Sequence, residues 1–200
     1  MFRIQLLEVI EKNGGISLNR FVDETDMDRE NIIGHHNDRP LRLPEEFVEF
    51  VQQLGFHSFK EQIVSPSLES IPVSADDNHI TIGTFYGFGT GDYSISSLLK
   101  WLEDQLPKGY IPFAEGVSGD YFCLGVSDTN FGEVYYWHHE SPRELDLYLV
   151  SLDLSSFTGN WKIDSSRSDT SGMASITGNL DKNSRFAKFL ESTSDTGWKA

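Results

Sequence analysis

The chain has 200 residues with a hydrophobic fraction of 38%, an aromatic fraction of 12% and 14 phenylalanines. That is enough apolar area for one domain of ordinary size and excludes a chain disordered throughout. The net charge of −15 repels phosphate backbones, so direct binding of DNA or RNA is not expected.

In chain order, Phe2, Leu6, Val9 and Ile10 recur at helical spacing and Asn13-Gly14-Gly15 supplies a stop, which predicts a first helix. Arg3, Gln5, Glu8, Glu11 and Lys12 interrupt the same stretch, so it lacks the apolar run of a leader peptide. No segment approaches the roughly 20 apolar residues of a membrane span, and a cytoplasmic protein is expected. Ser17 to Arg39 is polar and acidic and reads as an exposed helix or an ordered loop; residues 1–41 form an N-terminal extension.

Leu43-Pro44-Glu45-Glu46-Phe47 opens a second helix, because proline tolerates the first turn and carboxylates complement the positive helix end. Phe47, Phe50, Val51 and Leu54 form its core stripe and Gly55 ends it. Ile80, Ile82 and Phe85 mark a strand. Asp92 or Ser94 caps a further helix with Ile95, Leu98, Leu99, Leu102 and Leu106 on one face, and Pro107 stops it.

Three short strands then form a meander: Tyr110 to Ala114, Asp120 to Gly125 and Glu133 to His138, with turns at Glu115 to Gly119 and Ser127 to Gly132. Leu145 to Leu154 predicts one more strand. Residues 159–182, rich in Ser, Asp, Thr and Gly, read as a long variable loop, and Ser184 to Glu191 as a closing helix. Helices first, antiparallel strands in the middle and no alternating βαβ pattern predict a single α+β domain with a central, mainly antiparallel sheet and flanking helices.

Charge is unevenly spread. Residues 61 to 160 hold 15 acidic residues against three basic ones, Lys100, Lys108 and Arg143. Such a surface attracts a basic protein partner, and nucleic-acid-processing proteins are the commonest basic class; solubility alone is the other reading.

Catalytic chemistry finds little support. Gly87-Phe88-Gly89-Thr90-Gly91-Asp92 has the wrong spacing for a phosphate loop and places a carboxylate where phosphate would sit. The pairs His35-His36 and His138-His139 point to opposite faces of a strand and lack metal-ligand spacing. Cys123, the single cysteine, cannot form an internal disulfide, fits a reducing compartment and reads as a small core residue. Gly116-Val117-Ser118-Gly119 lacks the frame of a nucleophile elbow. No catalytic residue, cofactor or metal is expected.

The meander instead combines acids with aromatics. Glu115, Asp120 and Asp128 lie in or beside its turns, where they make turns or offer contact surface, and Glu133 opens the third strand. Tyr121, Tyr135 and Trp137 supply rings; Tyr135 and Trp137 share one face and Tyr136 lies on the other, with the solvated face left open. These seven, Glu115, Asp120, Tyr121, Asp128, Glu133, Tyr135 and Trp137, are the candidate partner-binding residues.

From Arg42 to Leu190 the chain resembles the SUKH superfamily, which includes bacterial immunity proteins and a fungal cell-wall regulator. The resemblance is carried by Leu43-Pro44-Glu45-Glu46-Phe47 with Phe50 and Gly55, by Ile111-Pro112-Phe113-Ala114, by Gly119-Asp120-Tyr121-Phe122-Cys123-Leu124, and by Gly132-Glu133-Val134-Tyr135-Tyr136-Trp137 with His139-Glu140. It implies an α+β fold without catalytic residues, and a protein that binds and neutralises a cognate nuclease- or deaminase-type toxin. The alternative is an interaction or scaffold protein of the cell-wall regulator type; an enzyme of unknown type stands behind both. Residues 159–182 exceed the usual link to the last helix, and a start near Ser155-Ser156-Phe157 is the other register.

Overall fold

In the computed structural model the described residues are 1–18, 42–74, 78–89, 91–142 and 146–165, with the backbone alone at 35–36 and 39–40. Helix α1 (Phe2–Lys12) buries Phe2, Leu6 and Ile10. It stops where the Asn13 side-chain amide donates back to the Val9 carbonyl at 2.9 Å. Gly14 then takes φ +83°, and a Cβ there would also meet Glu61 at 2.8 Å.

Strand β1 (Ile16–Leu18) follows, and β2 (His35–His36) pairs with β3 (Arg39–Pro40). The predicted helix or loop from Ser17 thus begins as strand; its middle lies outside the described residues. Helix α2 (Glu45–Leu54) starts after Pro44 and buries all four stripe residues, Phe47, Phe50, Val51 and Leu54. Gly55 ends it without a left-handed turn: a Cβ there would lie 2.7 Å from the Gly87 Cα, and Phe56 takes the positive φ of 67° instead.

Strand β4 (His57–Phe59) pairs with β1. Strands β5 (Ile63–Pro66) and β6 (His79–Ile82) pair antiparallel. Helix α3 (Ile95–Trp101) is capped by Ser94, whose hydroxyl accepts from the Ser97 amide at 3.2 Å. It is shorter than the Ile95-to-Leu106 stripe suggests, since the chain turns at Leu102.

The meander forms as predicted, as β7 (Tyr110–Glu115), β8 (Tyr121–Gly125) and β9 (Val134–Trp137). Strand β10 (Leu147–Ser151) completes a four-stranded antiparallel sheet in the order β10-β9-β8-β7. Residues 83–87 continue it beyond β7: the Tyr86 amide donates to the Phe113 carbonyl at 2.8 Å and the Glu115 amide to the Thr84 carbonyl at 2.9 Å.

Leu154, the predicted end of a strand, instead opens helix α4 (Leu154–Gly159), which Asp153 caps by accepting from the Ser156 amide at 2.7 Å. The first residues of the predicted 159–182 loop are also ordered by the core. Trp161 is 2% exposed, and β11 (Lys162–Ile163) pairs with β5. A lone tryptophan between polar residues has no periodicity to betray its burial, which is why composition alone mislabels it. The rest of that stretch and the predicted Ser184–Glu191 helix lie outside the described residues.

All these elements belong to one unit, Met1–Asp164, of α+β type. Its centre is a lattice of edge-to-face rings: Phe47 and Phe50 of α2 meet Phe113 at 5.7 and 5.4 Å, and Phe157 of α4 meets Trp161 at 5.3 Å. Phe122 lies 5.5 Å from Phe157, so helices cover the Phe122 and Tyr136 face of the sheet.

Candidate functional site

Strand alternation sorts the candidate residues before any contact is considered. The register sets Glu115, Tyr121, Trp137 and Leu147 directly opposite one another across β7 to β10, and Pro112, Cys123, Tyr135 and Leu149 in the next row but one on the same face. Tyr136 points the other way and is fully buried. Glu115, Tyr121, Tyr135 and Trp137 therefore occupy the face opposite α2 and α4, whereas the Asp120 carboxylate meets Tyr136.

That face has two ends with different characters. At the first, Ser118 (φ 55°) and Gly119 (φ 96°) form the tight turn between β7 and β8, closed by the Asp120 amide on the Val117 carbonyl at 3.0 Å. Asp120, 2% exposed, spends its carboxylate inside the fold. Oδ2 accepts from the Tyr136 hydroxyl at 3.0 Å; Oδ1 accepts from the His139 amide at 3.0 Å and lies 2.6 Å from His139 Nδ1. The Tyr136 hydroxyl in turn accepts from the Val117 amide at 2.9 Å. Burial, joined by the nearby Asp120 charge, holds the Tyr136 phenol far above its ordinary range, so it stays a donor.

Glu115 belongs to the same end. Its carboxylate accepts from the Tyr86 hydroxyl at 3.1 Å and the Thr84 amide at 3.3 Å, locking residues 83–87 to β7. Tyr121 stacks on Trp137 at 6.2 Å with the planes 16° apart, and the Trp137 indole donates to the buried Asp146 at 3.0 Å. Cys123, fully buried in the next row, has its thiol pushed well up by burial and by the charge of Asp146. Both histidines approach Asp120: His139 Nδ1 lies 2.6 Å from Oδ1 and His138 Nε2 4.0 Å from Oδ2, while His138 Nδ1 lies 2.7 Å from the Ser141 hydroxyl.

The second end is open. Asp128 is exposed in the turn 126–133, which is tied down from behind by the Ser127 amide on Asn130 Oδ1 at 2.9 Å and the Val126 amide on the Gly109 carbonyl at 2.9 Å. Glu133 accepts from the Tyr135 hydroxyl, and Tyr135 meets the ring of Tyr110 edge-on at 5.0 Å. Burial and the neighbouring Glu133 raise the Tyr135 phenol, with Glu69 adding to the effect. Two cations stand nearby, Lys108 and Arg42, whose guanidinium lies 4.9 Å over the Phe131 ring.

Where α3 ends, a cavity of about 200 Å³ is lined by Leu99, Leu102, Leu106, Pro107 and Tyr110 together with the charged Glu103, Asp104 and Lys108. Sequence reasoning assigned Leu99, Leu102 and Leu106 to a core-facing stripe. The early end of α3 lets that stripe also line a depression, a consequence of chain path that no residue pattern encodes.

The seven candidates thus fall into two groups. Glu115, Asp120, Tyr121 and Trp137 gather at the turn 116–119, and Asp128, Glu133 and Tyr135 gather with Tyr110 at the opposite end. Among the described residues no helix is long and apolar enough to cross a membrane. A comparison with curated proteins finds no match. The family model for the SMI1 / KNR4 family (SUKH-1) matches residues 28–158, more than half of the chain and including the whole meander, and the chain therefore belongs to that family.

Proposed function

We propose that this chain is a non-catalytic, cytoplasmic binding domain that takes a basic protein partner against the open end of its meander, as an immunity protein takes its cognate bacterial toxin. The observation that carries the reading is the grouping of exposed Asp128 with Glu133, Tyr135 and Tyr110 within a central half of the chain that holds 15 acids and three bases. Aromatic rings supply rigid contact area, and the acids steer a cationic partner and set register. Membership in the family supports a role in protein binding.

On this reading the four candidates at the turn 116–119 shape the surface from beneath, and Asp128, Glu133 and Tyr135 touch the partner. The test is co-expression with the toxin-like product of the adjacent gene, followed by calorimetry at low and high salt. Protection of growth, with binding that weakens as salt rises, is expected; neither protection nor binding heat would count against the toxin reading. Recovery of a stable cellular complex by a chain encoded far from any toxin gene would favour the scaffold role.

A further inference from the structure

We infer that residues 67–69 are a strap that closes the outer edge of the four-stranded sheet against a second copy of this chain, with Glu69 as its key residue. The order β10-β9-β8-β7 leaves β10 outermost on one side, while residues 83–87 cover β7 on the other. An outermost strand offers its N–H and C=O groups to any other strand that meets it. In β10 the sequence adds to that hazard. Leu147-Tyr148-Leu149-Val150-Ser151-Leu152 is six residues without charge, proline or glycine, the composition of a segment prone to pair with its own copies. Antiparallel pairing of two β10 strands about Leu149 would be self-complementary, as a two-fold contact must be.

The strap occupies those groups first. The Leu149 amide donates to Glu69 Oε2 at 2.7 Å, and the Leu149 carbonyl accepts from the Glu69 amide at 3.0 Å and from the Ser67 hydroxyl at 3.2 Å. The Val150 carbonyl accepts from the Leu68 amide at 3.3 Å. In a regular antiparallel ladder a neighbour would answer Leu149 with its own N–H and C=O. Glu69 answers with its N–H and its carboxylate, and its C=O accepts from Asn78 Nδ2 at 3.0 Å instead. The strap thus satisfies β10 without becoming a strand that could be paired in turn.

The strap is itself held in place. Asn78, at φ 58° just before β6, also donates to the Ser67 carbonyl at 2.7 Å, and its Oδ1 accepts from the Ser74 hydroxyl at 3.1 Å. Its own carbonyl accepts from the Ser67 amide at 3.1 Å. Asparagine tolerates such a left-handed backbone better than most residues. A carboxylate at position 69 serves twice: its bond to the Leu149 amide is charge-assisted and stronger than a neutral one. Because Glu69 is exposed, the approach of two such edges would also bring like charges together.

Light scattering across a concentration series, paired with hydrogen exchange of the Leu149 amide in the full chain, tests the assignment. In the wild type, Leu149 exchange should not depend on concentration. Glu69→Ala should speed it at least about tenfold at low concentration, with the β8 amides unchanged as the control for folding. Glu69→Ala with Asn78→Gly frees the strap, since glycine accepts the left-handed backbone but holds neither carbonyl. This double variant should gain a dimer absent from the wild type, and its Leu149 exchange should slow again as concentration rises. Glu69→Gln keeps an acceptor and should not gain the dimer. Unchanged Leu149 exchange in Glu69→Ala, a folded double variant without the dimer, or Glu69→Gln dimerising as readily as the double variant would each overturn the assignment. Should the double variant lose β8 protection, Leu149 exchange in Glu69→Ala decides alone.

Discussion

The Asp120 carboxylate lies 2.6 Å from the Nδ1 of His139, and it reaches that ring from a position that is itself 2% exposed. A buried carboxylate with three donors around it fixes the two strand ends it bridges, because the buried Tyr136 hydroxyl left without it would lose a bond that water cannot replace. Asp120→Ala should therefore destabilise the protein by about 2–4 kcal/mol, read as a lower urea midpoint with an unchanged slope. His139→Ala, at the partly exposed end of the same contact, should cost about 1 kcal/mol or less. Unchanged stability in Asp120→Ala would free this residue to serve as a contact.

Trp161 offers a second test, on packing. Its ring centroid lies within 6.2 Å of those of Phe50, Phe59, Phe85 and Phe157, and among the described residues its indole N–H meets no hydrogen-bond acceptor. Trp161→Ala should cost about 3–5 kcal/mol through lost burial and the cavity left behind. Trp161→Phe, which gives up an N–H that bonds none of the described residues, should cost distinctly less. Equal midpoints for the two variants in denaturant would contradict the placement.

The tyrosines predict a one-sided alkaline limit. Burial above all, and then the charge of Glu115 beside Tyr86 and of Asp120 beside Tyr136, raises both phenols far above the ordinary value of 10.0. The folded form thus resists ionisation that the unfolded form accepts at about pH 10. Their contribution is present in full below pH 10 and is lost as pH rises further, because only the unfolded chain then releases the protons. Phenolate absorbance should accordingly split into one class that titrates freely and one that appears together with loss of far-ultraviolet dichroism. Full phenolate formation in a chain that keeps its native dichroism would be the contrary result.

Charge reversal separates contact from scaffold. Asp128→Lys lies on an exposed turn and should leave stability within about 0.5 kcal/mol, while slowing association with a basic partner several-fold at low salt and little at high salt. Glu133→Gln removes a charge and weakens the hold on Tyr135, so a modest loss of stability, about 1 kcal/mol, should accompany weaker binding. Stopped-flow association rates across a salt series read both effects.

Much of this molecule was legible from residue order, and what was missed has a common cause. The stripe Phe47, Phe50, Val51 and Leu54 announces a helix because burial repeats every turn, and the meander announces itself through turn glycines between short apolar runs. Trp161 and β11 were hidden because they depend on β5, about a hundred residues away, and not on any local pattern. For the candidate site, parity correctly put Tyr135 and Trp137 on one face and Tyr136 on the other. Parity could not tell that Asp120 is sealed beneath the surface and Asp128 stands upon it, since burial at a turn is decided by which neighbouring segments cross it.

The turn 126–133 is anchored through backbone groups and the side chains of Asn130, Phe131 and Glu133, while Asp128 and Thr129 stand exposed at its tip. On the proposed reading, recognition and folding fall to different atoms of one segment. A lineage of such chains can rewrite those two positions to meet a changed partner and inherit the same thermal robustness at every step, so that diversification of the surface proceeds without reopening the question of whether the protein folds.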